Sequence, residues 1–206
     1  LAEMTESRTA ELADAIRAVP DLETGRAPTA AQARKEIACA VDRIVSFAGW
    51  CDKFPQVVGS RNPVNGPYHN FTMPEPTGVC GVIAPNQPTF LGLITHLAPI
   101  LAGGNVSIAL ASETNPLPAM VFAEICATSD VPGGVVNILT GYRHEMIPEF
   151  ADHRDIDAIG GAAETAEERR LLELGAADNM KRVRLETVGD GDYFDDDTRH
   201  SPWTIE

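Results

Sequence analysis

The side chains of this chain best suited to handling a polar ligand stand in short polar turns, each placed after an apolar run: Gln87 in 85–89, Ser112 and Glu113 in 111–115, the turn 140–143, Gly161 in 160–163, and Glu186 in 186–189. An amide, a hydroxyl, two carboxylates and a glycine-bearing turn form a set that can orient a ligand or move a proton. Nucleophilic and metal chemistry have less support. Cys39, Cys51, Cys80 and Cys126 lie singly, without the CxxC pairs of a zinc site or the spacing of a disulfide framework. His69, His96, His144, His153 and His200 show no HExxH or paired spacing, and His96 falls in an apolar helical stretch where a core or groove histidine belongs. Asp190, Asp192, Asp195, Asp196 and Asp197 lack the DxDxDG order and closing glutamate of a calcium loop, so a solvated acidic stretch is expected and no metal.

The elements that must position those turns follow from periodicity. Leu12, Ile16 and Val19 recur at helical spacing. Ile37, Val41, Ile44, Val45 and Ala48 mark one face of a longer helix, and 50–54 closes it. Residues 56–76 are rich in Pro, Gly and Asn and read as a connector or arm, with an extended candidate at 68–73. Beyond Pro76 apolar runs of strand length at 79–84, 106–110, 135–139, 156–159 and 182–185 alternate with helical stretches at 90–101, 119–128, 145–151 and 164–174. Strands apolar throughout and separated by helices predict an α/β fold, a Rossmann-like parallel sheet with helices on both faces. Ligands of such sheets sit at the carboxyl ends of the strands, which gives the five turns their importance. No GxGxxG follows the first strand, so the standard dinucleotide fingerprint is absent. The expected organisation is a helical region over 1–66, an extended arm over 67–76 and the Rossmann-like domain over 77–206.

Composition narrows the partners. With 206 residues, 44% of them hydrophobic, the chain can bury a real core. A net charge of -14 repels phosphate backbones and anionic lipid, which argues against nucleic acid and membrane surfaces. There is no apolar run of spanning length and no charged-then-apolar leader; with isolated cysteines this points to a reduced, cytoplasmic protein. The first residue is Leu1 rather than Met, so further sequence upstream is expected.

At the turns themselves a family comes into view. EPTGVCGVIAP, ALASE, VPGGVVNILTG and RLETVGD resemble, in order, the GVITPWNFP, KPSE, PxGVVNIVTG and LELGG motifs of the aldehyde dehydrogenase superfamily. FAGWCDKF at 47–54 is similar to its FAGWADK segment, and LAEMTESRTAELADAI to its early helix. The likeness covers nearly the whole chain, and its narrower form is to the non-catalytic second domain of the family 16 members, through the SDVPGGVVNILTG run and the acidic tail.

The resemblance implies roles that this chain has altered. The family's oxyanion-donating Asn matches Gln87, whose extra methylene displaces the amide. The Lys and Glu that hold the adenosine ribose match Leu110 and Glu113, with Ser112 between, so one clamp is missing. The Gly-Ser of the family's FTGS falls on Ala163 and Glu164 without a gap, or on Gly161 and Ala162 after a local shift; neither supplies a hydroxyl. Glu164, Glu167 and Glu168 crowd that first helical turn with negative charge, which suits the helix and repels a pyrophosphate. Glu186 matches the family's general base, yet the sequence holds no cysteine after Cys126 to serve as its thiolate partner.

The expectation is therefore a degenerate aldehyde-dehydrogenase-like domain, inactive as this chain alone, with Glu186, Gln87, Ser112, Glu113 and Gly161 vestigial and NAD or NADP binding weak or lost. Its expected partner is a homologous aldehyde dehydrogenase domain or subunit in an oligomer, through an arm similar to the family's oligomerisation hairpin. The alternative is the NAD(P)-binding part of an active aldehyde oxidoreductase, converting aldehyde to carboxylic acid, whose Cys-bearing half lies outside this sequence.

Overall fold

The computed structural model describes residues 1–21, 24–187 and 193–195. Three helices come first: α1 (Ala2–Ser7), α2 (Thr9–Arg17) and α3 (Ala30–Ala48). Thr29 starts α3 with a reciprocal capping box, its hydroxyl accepting from the Gln32 amide while the Gln32 side chain accepts from the Thr29 amide. The short α4 (Phe54–Val58) follows, then β1 (Ser60–Asn62) and β2 (Asn70–Thr72), which pair antiparallel with Arg61 opposite Phe71. The 56–76 connector therefore contains a two-stranded hairpin whose first strand lies ahead of the 67–76 bounds predicted for the arm. Asn62 sets it there, its side-chain amide donating to Asn70 Oδ1 at 2.8 Å and Thr72 Oγ1 at 2.9 Å.

The buried face of α3 differs from the one predicted. Ala33, Ile37, Ala40 and Phe47 face the core, together with Glu36 and Arg43, while Val45 is exposed. The two charged residues belong inside because each has partners in or at the start of α5 (Leu91–Ala102), which packs against α3. Glu36 Oε1 accepts from the Phe90 and Leu91 amides at 2.8 and 3.1 Å, capping the start of α5. The buried Arg43 donates to the Thr95 hydroxyl and to the Tyr193 carbonyl, and Tyr193 Oη meets His96 Nε2 at 3.0 Å.

Burial pushes the Glu36 carboxyl up despite those two amides. A folded-state pKa above the unfolded one means the folded chain binds the extra proton, so stability falls as pH rises from the ordinary carboxylate range through the raised value. Glu36→Gln is expected to remove this slope. Urea midpoints of the two proteins measured against pH should converge at low pH and separate in that window in favour of the variant, and parallel profiles would contradict it.

The rest of the chain alternates strand and helix: β3 (Val79–Ile83), α5, β4 (Val106–Leu110), α6 (Leu117–Thr128), β5 (Val136–Leu139), α7 (Arg143–Asp152), β6 (Ala158–Ala163), α8 (Ala166–Asn179) and β7 (Arg182–Thr187). The five strands are all parallel in the order β5-β4-β3-β6-β7. Side chains alternate between the two faces, as the strand period requires. Val82, Ala84, Ala109 and Ala111 join α2, α3, α5 and α6 in one core, and Ile83, Leu110 and Ile159 join α7 and α8 in the other. Since Leu12, Ile16 and Ile37 share a core with Val82 and Leu93, the N-terminal helices and the sheet form one packed body. Asn115 fastens that join, donating to the Ala15 and Ile16 carbonyls at the end of α2. On the other face α7 and α8 approach so closely at Gly175 that a Cβ there would lie 2.7 Å from that of Ala151.

Candidate functional site

The chain enters the sheet at its centre with β3, runs outward to β5, and returns to place β6 on the other side of β3. That reversal opens a crevice at the carboxyl ends of β3 and β6. Arg143, the first residue of α7, occupies its head. Its side chain is almost wholly buried, with Nη1 donating to the Ala84 carbonyl at 2.7 Å and Nη2 to the Ala162 carbonyl at 2.9 Å. One guanidinium thus ties the ends of both central strands. Its Nε and Nη2 also donate to Glu168 Oε1 and Oε2 at 3.1 and 2.9 Å, a two-pronged pair from the first turn of α8. Burial pushes the Glu168 carboxyl up, but the hydrogen bonds and charge of Arg143 outweigh it and hold that group below the usual carboxylate range.

Around this pair three carboxylates hold three main-chain amides. Glu168 Oε2 accepts from the Glu164 amide at 2.8 Å, Glu164 Oε1 from the Asn86 amide at 2.6 Å, and Glu113 Oε2 from the Arg143 amide at 2.9 Å. Those amides lie just past the ends of β6, β3 and β5, so the ring spans the crevice mouth. The Thr165 hydroxyl caps α8 by accepting from the Glu168 amide at 3.1 Å. Asn86 knits the mouth together: its Oδ1 accepts from the Glu113 amide, and its carbonyl accepts from the Ser112 and Thr114 hydroxyls.

The sequence-predicted residues have separate fates. Ser112 and Glu113 belong to this network. Ser112 is buried and serves the Asn86 carbonyl and, as acceptor, the Asn115 amide. Gln87 stands exposed beside Asn86. Leu110, at the place of the missing clamp, is fully buried in the core beneath α7 and α8. Gly161 is corrected from a turn to the interior of a strand. The predicted strand 156–159 is in fact Ala158–Ala163, in which Gly161 pairs with Ile83 and a Cβ on it would lie 2.2 Å from the Ile83 carbonyl oxygen. The strand-to-helix turn is then Ala163–Glu164–Thr165, and the gapless alignment is the one that falls on it. Glu186 lies inside β7, opposite Ala162 and separated from β3 by β6. Asp190, Asp192, Asp196 and Asp197 lie outside the described residues. Burial pushes the Cys80 and Cys126 thiols up to about 11, as inert core residues.

The sequence marks the turns that hold Asn86 and Arg143 without singling out either residue, and gives Glu168 as first-turn charge without its partner Arg143. One signal was available for Arg143: a basic residue at a strand-to-helix turn, in a chain with 16 Lys and Arg against 30 Asp and Glu. An apolar cavity of about 710 Å³ lies elsewhere, lined by Leu1, Met4, Val45, Leu97 and Leu101 near the C-terminal ends of α5 and α6, which return to the amino end of the sheet.

A parallel doubly wound sheet with a crevice at its switch point defines a domain of the dinucleotide-binding type. The aldehyde dehydrogenase family model matches residues 1–194. The chain belongs to the aldehyde dehydrogenase family. It is 32% identical over 193 residues to the cytosolic 10-formyltetrahydrofolate dehydrogenase of Xenopus tropicalis, covering 92% of this chain and 20% of that protein. It is 35% identical over 161 residues to the mitochondrial aldehyde dehydrogenase of Sus scrofa, covering 78% of this chain and 30% of that one. The crystal structure of PnpE from Pseudomonas sp. WBC-3 superposes with a TM-score of 0.79 at 29% identity, over 90% of this chain and 36% of that chain. Betaine aldehyde dehydrogenase from Staphylococcus aureus, in complex with NAD+, shares the fold with a TM-score of 0.80 at 21% identity, over 90% and 35%. The chain thus spans between a fifth and somewhat over a third of the length of these relatives. Among the described residues no helix is long and apolar enough to cross a membrane.

The residues at the crevice do not fit a dinucleotide as they stand. Three amides past the strand ends are taken by carboxylates, and three carboxylates against one guanidinium leave the mouth negative, where a diphosphate needs free donors.

Proposed function

We propose that this is a degenerate aldehyde dehydrogenase domain with a structural role, whose cofactor crevice is closed and which works packed against a homologous aldehyde dehydrogenase domain or subunit. The observation that carries the reading is the Arg143–Glu168 pair at the switch point, where one buried guanidinium spans the ends of β3 and β6. Leu110, buried in place of a ribose-holding Lys, and the exposed Gln87 support it from the neighbouring turns. The hairpin exposes Tyr68, Phe71 and Met73, an apolar surface suited to burial in an assembly. Reduced thiols at Cys51, Cys80 and Cys126 fit a cytoplasmic protein.

Calorimetric titration with NAD and with NADP tests the cofactor part: binding no tighter than about 1 mM is expected, which corresponds to roughly 4 kcal/mol of binding free energy. Micromolar binding would instead favour a working NAD(P)-binding part of an aldehyde oxidoreductase, a reading supported by the intact strand order and switch point. Sedimentation tests the assembly, and a clean monomer at micromolar concentration would count against it.

A further inference from the structure

The geometry points to the crevice being an anion site filled from within: the carboxylates of Glu164 and Glu168 stand where the oxygens of a diphosphate would, and they exclude that ligand by occupying its donors. The inference rests on the closed-crevice reading and goes beyond it, since it makes the site blocked by named side chains instead of dismantled.

The donor set is the argument. The Asn86, Arg143 and Glu164 amides come from the ends of three different strands and converge on one mouth, and each is held by a carboxylate at 2.6 to 2.9 Å. A guanidinium lies at the centre of the same mouth, buried and bonded to two strand-end carbonyls. Main-chain amides beside a guanidinium are the donors that bind phosphate oxygens. Carboxylate oxygens make the same bonds with a single negative charge each, and being tethered they act at an effective concentration that a free ligand does not reach. Glu164 lies in the strand-to-helix turn and Glu168 in the first turn of α8 that follows, and their carboxylates together hold two of the three amides. They are accordingly the side chains whose neutralisation should admit an anion.

The test uses the Glu164→Gln, Glu168→Gln double variant, with folding monitored by circular dichroism, titrated calorimetrically with inorganic pyrophosphate and then with NAD. The variant is expected to bind pyrophosphate about tenfold or more tightly than the wild type, as charge-assisted hydrogen bonds replace those of the removed carboxylates. Adding Arg143→Met to the variant is expected to abolish the gain. If the double variant folds and gains nothing, the inference is wrong while the closed-crevice reading stands. If the wild type itself binds NAD at micromolar concentration, both fall. Should the variant not fold, the wild-type chain decides by NMR. Pyrophosphate at tens of millimolar is expected to displace the tethered carboxylates and shift the Asn86 and Glu164 amide and Arg143 Nε signals before others. Shifts elsewhere only, or none, would overturn the inference.

Discussion

Arg143→Ala is expected to lower the stability of this chain by about 3–5 kcal/mol, the cost of breaking a buried charge pair from one side. Four hydrogen bonds from this guanidinium would be lost together. The Ala84 and Ala162 carbonyls would lose their donor at the centre of the sheet, and the Glu168 carboxylate would keep its charge without its counterion. Arg143→Lys should recover only part of the loss, because one ammonium cannot present a planar fork to Glu168 while reaching two carbonyls. Urea unfolding followed by circular dichroism measures both variants. A destabilisation below about 1 kcal/mol for the alanine variant would show that the pair contributes no more than an exposed ion pair does. A loss on the expected scale is a large part of the stability of a typical domain, about 5–15 kcal/mol.

Gly161→Ala should be at least as damaging, for steric reasons. Gly161 has φ of +141°, a region that L side chains rarely adopt, and its added Cβ would lie 2.2 Å from the Ile83 carbonyl oxygen and 2.7 Å from the Ile83 nitrogen. The clash is with backbone of the neighbouring central strand, so no rotamer change relieves it. Separating β3 from β6 would strain the ladder and the Arg143 bonds that bridge their ends, and a cost above about 3 kcal/mol follows from overpacking combined with the backbone penalty. Gly133→Ala is the control. It has nothing within 4 Å of the added carbon and should change stability by no more than about 0.5 kcal/mol. Thermal or urea midpoints for the pair decide the matter: equal effects would mean that the close approach of β3 and β6 is not enforced at Gly161.

These residues also show where sequence reading succeeds and stops. β4 falls on the predicted residues, Val106–Leu110, because an apolar run bounded by polar turns leaves a buried parallel strand as its natural state. β6 was predicted short and early, since Gly-Gly-Ala-Ala carries neither β-branched residues nor an apolar alternation. What makes it a strand is parallel pairing with β3 on one side and β7 on the other, which its neighbours supply. The face of α3 was misplaced for a similar reason: an apolar pattern cannot register that Glu36 and Arg43 point inward toward partners on and beside α5.

The order of strands and helices, and the family to which they belong, were legible in the sequence because they rest on local periodicity and on motifs a few residues long. Ser112 and Glu113 were found by the same means, although their partners were not. The state of the crevice was decided only by tertiary structure. Arg143, Glu168, Glu164, Glu113 and Asn86 come from four separate connections, and hydrogen bonding depends on distances across the sheet that no spacing along the chain encodes. The buried guanidinium illustrates the reason: in sequence it is one of 16 basic residues, and only the fold places two strand-end carbonyls and a carboxylate within 3.1 Å of it.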